Sequence, residues 1–587
     1  MNTPHRAGPA NISARPDSFH VWRSRKDMVA SKIIALGGLV VIAAVLLILF
    51  YRLYVVSPLF LPAKMSRVNL EGDAAWLNND TVFLALEEQQ QVAFRIAGSG
   101  KVEFFSLDDM QLVESTEVWA DGQGIVHVAD DQDHSGLVAV AFEDGRVGLL
   151  QKYYSTDFSA GIELRKIVPK LDFPYGTDLR ALMPNGGITG LAMSDDESEL
   201  MLAASGSGGR IRLERSTKEE HFLCGEVTLD TTVKAIDVNF DVTAINISGD
   251  HRWLYLGDEN GQIHFINTAT MQESQVVQVS DQAITDMTML LGGISVLAGD
   301  AGGTVTQLFP VRDSDNEYSL EIIRQFEGNQ SAIIQIIPEE RRKGFMTLDA
   351  DSTLSIFHST AGEFILREKL DAQPQALALA PRASGLLALY DDKRAEFMDI
   401  DNEHPEVSFA SLWSKVWYEN YAEPEYVWQS SSSSNDFEPK FSLSPLAFGT
   451  LKAALYAMLF ALPLALLGAA YTAYFMSSSL RRLVKPTIEI MAALPTVILG
   501  FLAGLWFAPF LEENLAGVFA MLIVMPAGLL VFAWFWTRAS WRLKNYVKEG
   551  WEPVLLLPVL AVLALVSIEF VGPFQDLFFD GDLRTWL

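Results

Sequence analysis

The sequence has little cysteine, histidine or basic charge, and each shortage removes a class of protein from consideration. Cys224 is the only cysteine among 587 residues, so no internal disulfide forms. The 9 histidines are scattered without the spacing of a zinc site. Lysine and arginine total 44 against 73 aspartate and glutamate, a net charge of −29. Nucleic-acid binding needs a basic face, so we expect none here.

Motifs for enzymatic chemistry are also missing. There is no Gly-x-x-x-x-Gly-Lys-[Ser/Thr] phosphate loop and no His-Glu-x-x-His pair, and the acidic stretches lack calcium-loop spacing. Two acidic pairs, Asp195-Asp196 and Asp391-Asp392, lie at predicted turns, where we interpret them as solvated turn residues. We therefore predict no enzymatic activity, no cofactor and no metal site in this chain.

Apolar and acidic residues are concentrated in different parts of the chain. Mean hydropathy is positive overall. Residues 64–440 contain 62 acidic and 28 basic residues, a net charge of −34, whereas the remainder contains 11 acidic and 16 basic residues, a net charge of +5. An acidic middle domain between basic, apolar flanks suggests a membrane protein with a large domain outside the bilayer.

Five segments are long and apolar enough to cross a membrane. The first, residues 33–56, follows a basic tail (1–32) and is interpreted as a retained signal anchor. The others lie at 446–476, 487–509, 515–536 and 553–574. Loops after the second and fourth are basic and loops after the third and fifth are acidic, as five spans with a cytoplasmic N-terminus require. Residues 64–440 and the end at 575–587 are then periplasmic.

A short unit recurs through residues 64–410: an apolar strand, a tight turn, and a strand that begins Gly-x-apolar. Copies are about 41 to 64 residues apart, near the length of a four-stranded propeller blade. We predict a seven-bladed β-propeller resembling WD40 proteins in spacing, although their Trp-Asp dipeptide is missing; a pair of β-sandwiches is the alternative. Five copies begin at Gly100, Gly145, Gly209, Gly261 and Gly303, and two weaker copies, without the glycine, begin at Ser352 and Lys393.

An aromatic stretch and a serine run follow the repeats, within residues 411–440. Leu412-Trp413-Ser414-Lys415-Val416-Trp417-Tyr418 is typical of a membrane interface, where a ring is apolar on one side and hydrogen-bonded on the other. Ser430–Ser434 is interpreted as a flexible joint.

The apolar C-terminal part carries a specific pattern. Gly449-Thr450-Leu451 opens a helix rich in small residues, which favours close packing in a helix bundle. A basic loop follows, and then Pro486-Thr487-Ile488-Glu489-Ile490-Met491-Ala492-Ala493-Leu494-Pro495-Thr496-Val497, with Gly500 three residues later. Over residues 449–509, and back through the Trp-x-Lys-x-Trp of the aromatic stretch, this resembles the PstC-type permease subunits of bacterial phosphate ABC importers.

The resemblance implies a fold, a function and partners. The fold class is a polytopic α-helical membrane bundle with an inserted all-β domain. The chain is expected to form half of a phosphate translocation pathway in the bacterial inner membrane. Expected partners are a PstA-like second permease, a dimer of cytoplasmic ATPases, a periplasmic phosphate-binding protein and membrane lipids. The family's cytoplasmic coupling loop has no match before Leu587, so we expect the sequence to be truncated.

Six residues are candidates for transport or gating: Thr450, Lys452, Glu489, Pro495, Thr496 and Gly500. Glu489 is either a gate or packing contact, for example with Arg481 or Arg482, or an interfacial carboxylate. Pro495 is expected to kink its helix. Lys452 either attracts phosphate or extends to the interface, which we favour.

Two other functions are also compatible with the sequence. A membrane-anchored periplasmic propeller can serve as a sensor or assembly scaffold, with the C-terminal spans acting only as anchors. The same permease architecture can also carry another solute.

Overall fold

The computed structural model describes residues 18–579, apart from residues 69, 71–75, 79, 120–123, 132–134, 159–164, 185, 221–226, 363, 435, 493, 495, 541–546 and 548–551. Cys224, the basic residues before position 18, and most of the loop before the last predicted span therefore lie outside the described residues. The chain divides at Phe448 and Gly449 into two compact units.

The N-terminal unit begins with helix α1 (Ser18–Val56), a 3-10 turn (Ser57–Phe60) and strand β1 (Lys64–Val68). The first three blades then follow in chain order. They are formed by β2 (Thr81–Leu86), β3 (Val92–Ala97), β4 (Lys101–Ser106) and β5 (Leu112–Glu117); β6 (Ile125–Asp130), β7 (Leu137–Phe142), β8 (Arg146–Asp157) and β9 (Lys166–Asp172), with β10 (Arg180–Ala181) beside β8; and β11 (Ile188–Asp195), β12 (Glu199–Gly206), β13 (Arg210–Glu220) and β14 (Val227–Asp237).

The remaining blades repeat this four-stranded antiparallel pattern. They are formed by β15 (Val242–Ile247), β16 (Trp253–Asp258), β17 (Gln262–Asn267) and β18 (Gln272–Gln278); β19 (Ile284–Met289), β20 (Val296–Asp300), β21 (Val305–Arg312) and β22 (Tyr318–Phe326); β23 (Ile333–Pro338), β24 (Gly344–Asp349), β25 (Thr353–His358) and β26 (Phe364–Lys369); and β27 (Ala376–Leu379), β28 (Gly385–Leu389) and β29 (Ala395–Asp401).

Strand β1 closes the ring. It pairs antiparallel with β29, so that Lys64 lies opposite Asp401 and Val68 lies opposite Phe397. The seventh blade therefore takes its outermost strand from the start of the domain, and the predicted seven-bladed β-propeller is confirmed. Closure of this kind ties the two ends of the repeat together and leaves only short sheet edges.

Burial falls from the middle of each blade toward its rim. The second strands, such as β7 and β16, are buried along their whole length, because both faces of the sheet pack against neighbouring blades. The outer strands β5 and β18 are mostly exposed and rich in polar residues. Apolar clusters join adjacent blades: Phe94 and Phe104 of the first blade pack with Val140 of the second.

The predicted repeat marks one structural position. Each of the seven residues lies in the turn before the third strand of its blade, and each has a positive φ, including the two that are not glycine. Ser352 has φ 62° and Lys393 has φ 65°. Aspartates at the start of these turns close them: one Asp258 oxygen accepts the backbone N–H groups of Asn260 and Gln262.

The rest of the chain is mainly helical. Helix α2 (Phe409–Trp413) and the short strands β30 (Trp428–Gln429) and β31 (Lys440–Phe441) follow the propeller. The helices after them are α3 (Ser444–Ala470), continued by a π-helical turn (Tyr471–Phe475); α4 (Ser478–Ala492); α5 (Thr496–Leu502), continued by a π-helical turn (Ala503–Phe507); α6 (Ala508–Glu513); α7 (Leu515–Arg538); α8 (Glu552–Glu569); and α9 (Val571–Phe578).

Four described helical segments are long and apolar enough to cross a membrane, and the bent pair α8 and α9, which meet at 56°, makes a possible fifth. Two predicted spans differ in the structure. The span expected at 553–574 is broken between α8 and α9. The span expected at 487–509 begins inside α4, an amphipathic helix that contains Pro486, and the apolar segment runs instead from Thr496 to Glu513. The sequence prediction, which used hydropathy alone, joined the apolar residues of α4 and those of the next helix into one span.

Small residues let α7 lie close to the helices after it. A Cβ at Gly528 would come within 2.3 Å of Leu563 in α8, and one at Gly517 within 3.0 Å of Val571 in α9. The small residues of α3 behave differently from the prediction, because no residue of α3 is buried. The close packing expected of α3 is not made among the described residues.

Candidate functional site: the clasp and the central channel

The chain enters and leaves the propeller on one face. Lys64, at the start of β1, lies opposite Asp401, at the end of β29. This face is formed by the turns between the first and second strands and between the third and fourth strands of the blades. We call it the clasp face. Residues 409–442 follow the last blade and pack on this face, and we call this segment the clasp.

An ion pair holds the clasp to the fifth and sixth blades. Lys343, in the turn before β24, places its Nζ 2.6 Å from Glu419 Oε2, and both side chains are almost fully buried. Lys343 also donates to the Leu291 carbonyl. The other Glu419 oxygen accepts from Ser295 Oγ at 2.6 Å. The buried carboxylate is therefore paired with a cation and hydrogen-bonded, as a buried charge must be.

Arg324 of β22 makes a second attachment. Its Nη2 donates to the Trp417 carbonyl at 2.5 Å, and its Nη1 donates to the Ser359 carbonyl. The Ser359 hydroxyl donates to Gln307, whose amide donates to Ser295. One buried polar network thus connects two blades with two points of the clasp, and removing one member leaves others unsatisfied.

Glu438 is the titratable centre of the clasp. Its Oε2 accepts the backbone N–H of Glu419 at 3.0 Å. Burial, reinforced by the nearby Glu419 carboxylate, raises the pKa of Glu438 to about 7, while Arg324 and Lys343 act in the opposite direction. A carboxyl in this environment changes charge near neutral pH.

Three aromatic rings surround the ammonium group of Lys440. Its Nζ is 4.7 Å from the ring centroid of Phe437, 5.5 Å from that of Tyr418 and 5.7 Å from that of Tyr421. It also donates to the Glu438 carbonyl at 3.3 Å. Burial lowers the pKa of Lys440, and the ring faces compensate part of the lost hydration of the ammonium.

The clasp differs from two sequence predictions. Trp417 and Tyr418 were expected at a membrane interface, but Tyr418 is 1% exposed and the Trp417 ring lies edge-on to Phe309, 6.1 Å between centroids. The serine run Ser430–Ser434 is exposed as expected, yet it joins two strands that pair with each other, β30 and β31. The run is therefore a loop within a closed hairpin rather than a free joint.

The first strands of the blades surround a central channel of about 600 Å³. Its acidic lining residues include Asp130, Asp286 and Glu339, and no described lining residue is a lysine or arginine. Asp286 accepts the backbone N–H of Ile336 at 2.6 Å, which joins the fifth and sixth blades, and burial raises its pKa to about 6. Burial lowers the pKa of His127, the histidine on the wall. Basic side chains outside the lining pair with two of these acids, Lys152 with Asp130 and Arg342 with Glu339, so the lining is acidic in composition while part of its charge is compensated.

The prediction of solvated turn residues is wrong for one member of the two acidic pairs, because Asp195 ends strand β11 and is buried, whereas Asp196, Asp391 and Asp392 lie in turns. Asp392 accepts the backbone N–H of Arg394, and Asp196 accepts those of Ser198 and Glu199. Asp195 is buried and lies 2.7 Å from Lys218 Nζ. These contacts order the blade hairpins.

The transport candidates are spread over three helices of the second unit. Thr450 and Lys452 lie exposed in the first turns of α3, where Lys452 Nζ is 5.9 Å from the Tyr456 ring. Glu489 is exposed near the end of α4, and Thr496 and Gly500 are exposed in α5. Pro495 lies outside the described residues. The structure does not bring these residues together into a pocket that it describes.

Glu489 does not take the partner considered from sequence. Among the described residues it forms no ion pair, and Arg481 instead donates to the carbonyls of Ala473 and Met476 at 2.7 and 3.0 Å. Arginine in this position satisfies carbonyls at the end of the preceding helix.

The protonation of Glu438 predicts that the clasp tightens in mild acid. The pKa of Glu438 in the clasped state lies above the ordinary glutamate pKa of 4.5, so the clasped state holds more protons than the open state between those two pH values. Its stability should therefore fall as the pH rises from 5 through 7. Hydrogen exchange of residues 416–425, corrected for the intrinsic pH dependence, should be slower at pH 5.5 than at pH 8. Glu438→Gln should remove most of this difference; an unchanged difference would refute the assignment.

No protein-family model matches the chain, and no curated protein matches it in sequence. Among solved structures, the β-propeller domain of Cps50 (Swd1) from Myceliophteria thermophila is similar, with 10% sequence identity and a TM-score of 0.39 over 57% of this chain and 99% of that chain.

Proposed function

We propose that the chain is a permease subunit of an ABC importer for inorganic phosphate. It would form half of the translocation pathway, and a separate cytoplasmic ATPase would drive it. The observation that carries the proposal is the sequence pattern from Gly449 to Gly500, which resembles PstC-type permeases. In the structure its parts fall on α3, α4 and α5, two of which belong to segments of membrane-spanning length.

The proposed location is the bacterial inner membrane, with the N-terminus in the cytoplasm and residues 64–440 in the periplasm. The alternation of basic and acidic loops supports this orientation. The proposed partners are a PstA-like second permease, an ATPase dimer and a periplasmic phosphate-binding protein. The exposed surface of α3 suits a neighbour outside this chain, because small residues favour close helix contact.

The electrostatics argue against phosphate capture by the propeller. Residues 64–440 carry a net charge of −34, and the channel lining described here is acidic. Such a surface disfavours anions within the screening length of about 8 Å. We therefore assign the propeller to protein binding, with the phosphate-binding protein as the candidate partner.

Uptake of radiolabelled phosphate by phosphate-starved cells tests the function. In a strain without redundant importers, deletion of the gene should abolish saturable uptake, and the full-length gene should restore it. Unchanged uptake on deletion would refute the phosphate assignment. It would favour either another solute or the membrane-anchored scaffold, which parallel assays with other anions would separate.

Glu489→Gln tests the proposed transport machinery within the same assay. Glu489 lies on the amphipathic helix α4, within the stretch that resembles PstC-type permeases, and the proposal gives it a gating role, so we expect uptake to fall while membrane abundance stays unchanged. Glu512→Gln, at an exposed helix end, is the matched control and should transport normally. Equal uptake by the two variants would remove Glu489 from the pathway.

A further inference from the structure

Four aromatic side chains of the clasp point to solvent instead of into the propeller. Phe409 is 79% exposed, Tyr426 46%, Trp413 43% and Trp428 42%. We call these four residues the aromatic collar. They contrast with Tyr418 of the same segment, which is 1% exposed. Exposed rings of this size in one short segment need an explanation, because their burial would be favourable.

The collar lies around the first residue of α3. The Leu443 N–H donates to the Leu412 carbonyl at 2.8 Å, and Ser444 Oγ contacts the Trp413 carbonyl at 3.4 Å. Trp428 packs against Phe441, 5.9 Å between ring centroids, three residues before α3 begins. These contacts fix the collar to the start of a helix long enough to span a bilayer.

The segment that connects α1 to the propeller lies near the same end of the clasp. Residues 58–64, which follow α1, share a surface pocket of about 430 Å³ with residues 401–405 and Val407, just before α2. Phe60 and Leu61 in that stretch are 69% and 66% exposed. The collar is thus bordered by the ends of two apolar helices, each reached through only a few residues.

The position of the aromatic collar beside two apolar helices indicates that lipid covers it. Tryptophan and tyrosine prefer the headgroup layer, where the ring body is apolar and the N–H or O–H stays hydrated. Lys415, exposed and 6.0 Å from the Tyr426 ring, supplies a cation beside that layer. A protein partner would have to reach a surface that α1 and α3 hold close to the bilayer.

We propose that the aromatic collar inserts into the headgroup layer, so that the clasp face of the propeller rests on the membrane. The proposal rests on α1 and α3 crossing the bilayer, as the proposed function requires, but not on transport of phosphate. It distinguishes the inward aromatic residues of the clasp, which attach it to the propeller, from the outward ones, which contact lipid.

Site-specific fluorescence in proteoliposomes tests the contact. The full chain with Cys224→Ser receives one new cysteine, at Phe409, at Asn260 or at Leu459, and each is labelled with an environment-sensitive fluorophore. Phe409 is so exposed that its replacement removes little packing. Asn260, in an exposed turn on the opposite face, is the matched control, and Leu459 within α3 reports insertion.

We expect a label at Phe409→Cys to shift to the blue and to lose most of its fluorescence to lipids carrying a nitroxide near the headgroup. The label at Asn260→Cys should show neither effect, and the label at Leu459→Cys should be quenched by nitroxides deep in the chains. Quenching at 459 without quenching at 409 would overturn the collar proposal and leave the membrane-spanning role of α3 intact. A blue shift at 409 without lipid quenching would identify a protein contact and also overturn it. Absence of quenching at 459 would overturn the membrane-spanning role of α3, and with it both proposals.

Discussion

Lys343→Met should release the clasp from the propeller. The substitution keeps an apolar chain of similar length but leaves Glu419 charged and buried without its cation. Breaking one side of a buried ion pair costs about 3–5 kcal/mol. Clasp opening should therefore become about a hundredfold more frequent or more, since about 1.4 kcal/mol corresponds to tenfold. Hydrogen exchange of residues 416–425 in the full chain, where opening precedes exchange, measures this directly.

Two variants give this experiment its controls. Adding Glu419→Gln to Lys343→Met removes the uncompensated charge, so protection should largely return. Lys415→Met changes an exposed lysine of the clasp itself and should leave exchange unaltered. If Lys343→Met exchanged at the wild-type rate, the ion pair would not be what holds the clasp closed.

Gly209→Ala should destabilise the propeller far more than Gly208→Ala, although the two glycines are neighbours with similar φ of 73° and 78°. Both substitutions carry the left-handed strain of about 1 kcal/mol. Only at Gly209 would the new Cβ lie 2.2 Å from the Val238 carbonyl oxygen, whereas nothing lies within 4 Å at Gly208. The Gly209 carbonyl also accepts the Val238 N–H at 2.8 Å, so the two backbones cannot separate without loss.

We expect an additional cost of about 2–3 kcal/mol for Gly209→Ala. Thermal unfolding followed by near-ultraviolet circular dichroism should show a Tm several degrees lower than for Gly208→Ala. Equal Tm values for the two variants would mean that the third blade has room that the structure does not show. The same comparison would then weaken the assignment of the repeat to a tight turn.

The propeller could be predicted because its signal is local. A turn before the third strand of each blade requires a left-handed residue, which glycine adopts freely, and the apolar strand beside it completes a recognisable unit. Ser352 and Lys393 adopt the same conformation without glycine, which is why their copies were weaker in sequence. The long apolar runs likewise predicted the helices of membrane-spanning length.

The clasp could not be predicted because its contacts are distant in sequence. Glu419 meets Lys343 across 76 residues and Ser295 across 124. In the sequence its charges resemble solvated ones, and its aromatic residues resemble an interfacial belt throughout. Only the fold separates Tyr418, which points inward, from Trp413, which points outward.

Helix boundaries in the second unit were predictable only in part. Pro486 comes just before the predicted start of a span, but it lies inside the amphipathic helix α4. Averaging hydropathy along the sequence does not register the polar face of such a helix. The role of Arg481 was missed for a different reason. Side-chain contacts with backbone carbonyls leave no pattern in sequence, whereas a pairing with Glu489 was suggested by opposite charge alone.

Transport by a purified system tests the proposed permease function. The full-length protein would be reconstituted with its second permease and ATPase in vesicles, and accumulation of radiolabelled phosphate would be followed with the phosphate-binding protein present. We expect accumulation that requires both ATP and this chain. Excess unlabelled phosphate should suppress it, and excess sulfate should not. ATP-dependent accumulation of a different solute, or phosphate accumulation that is unchanged when this chain is omitted, would contradict it.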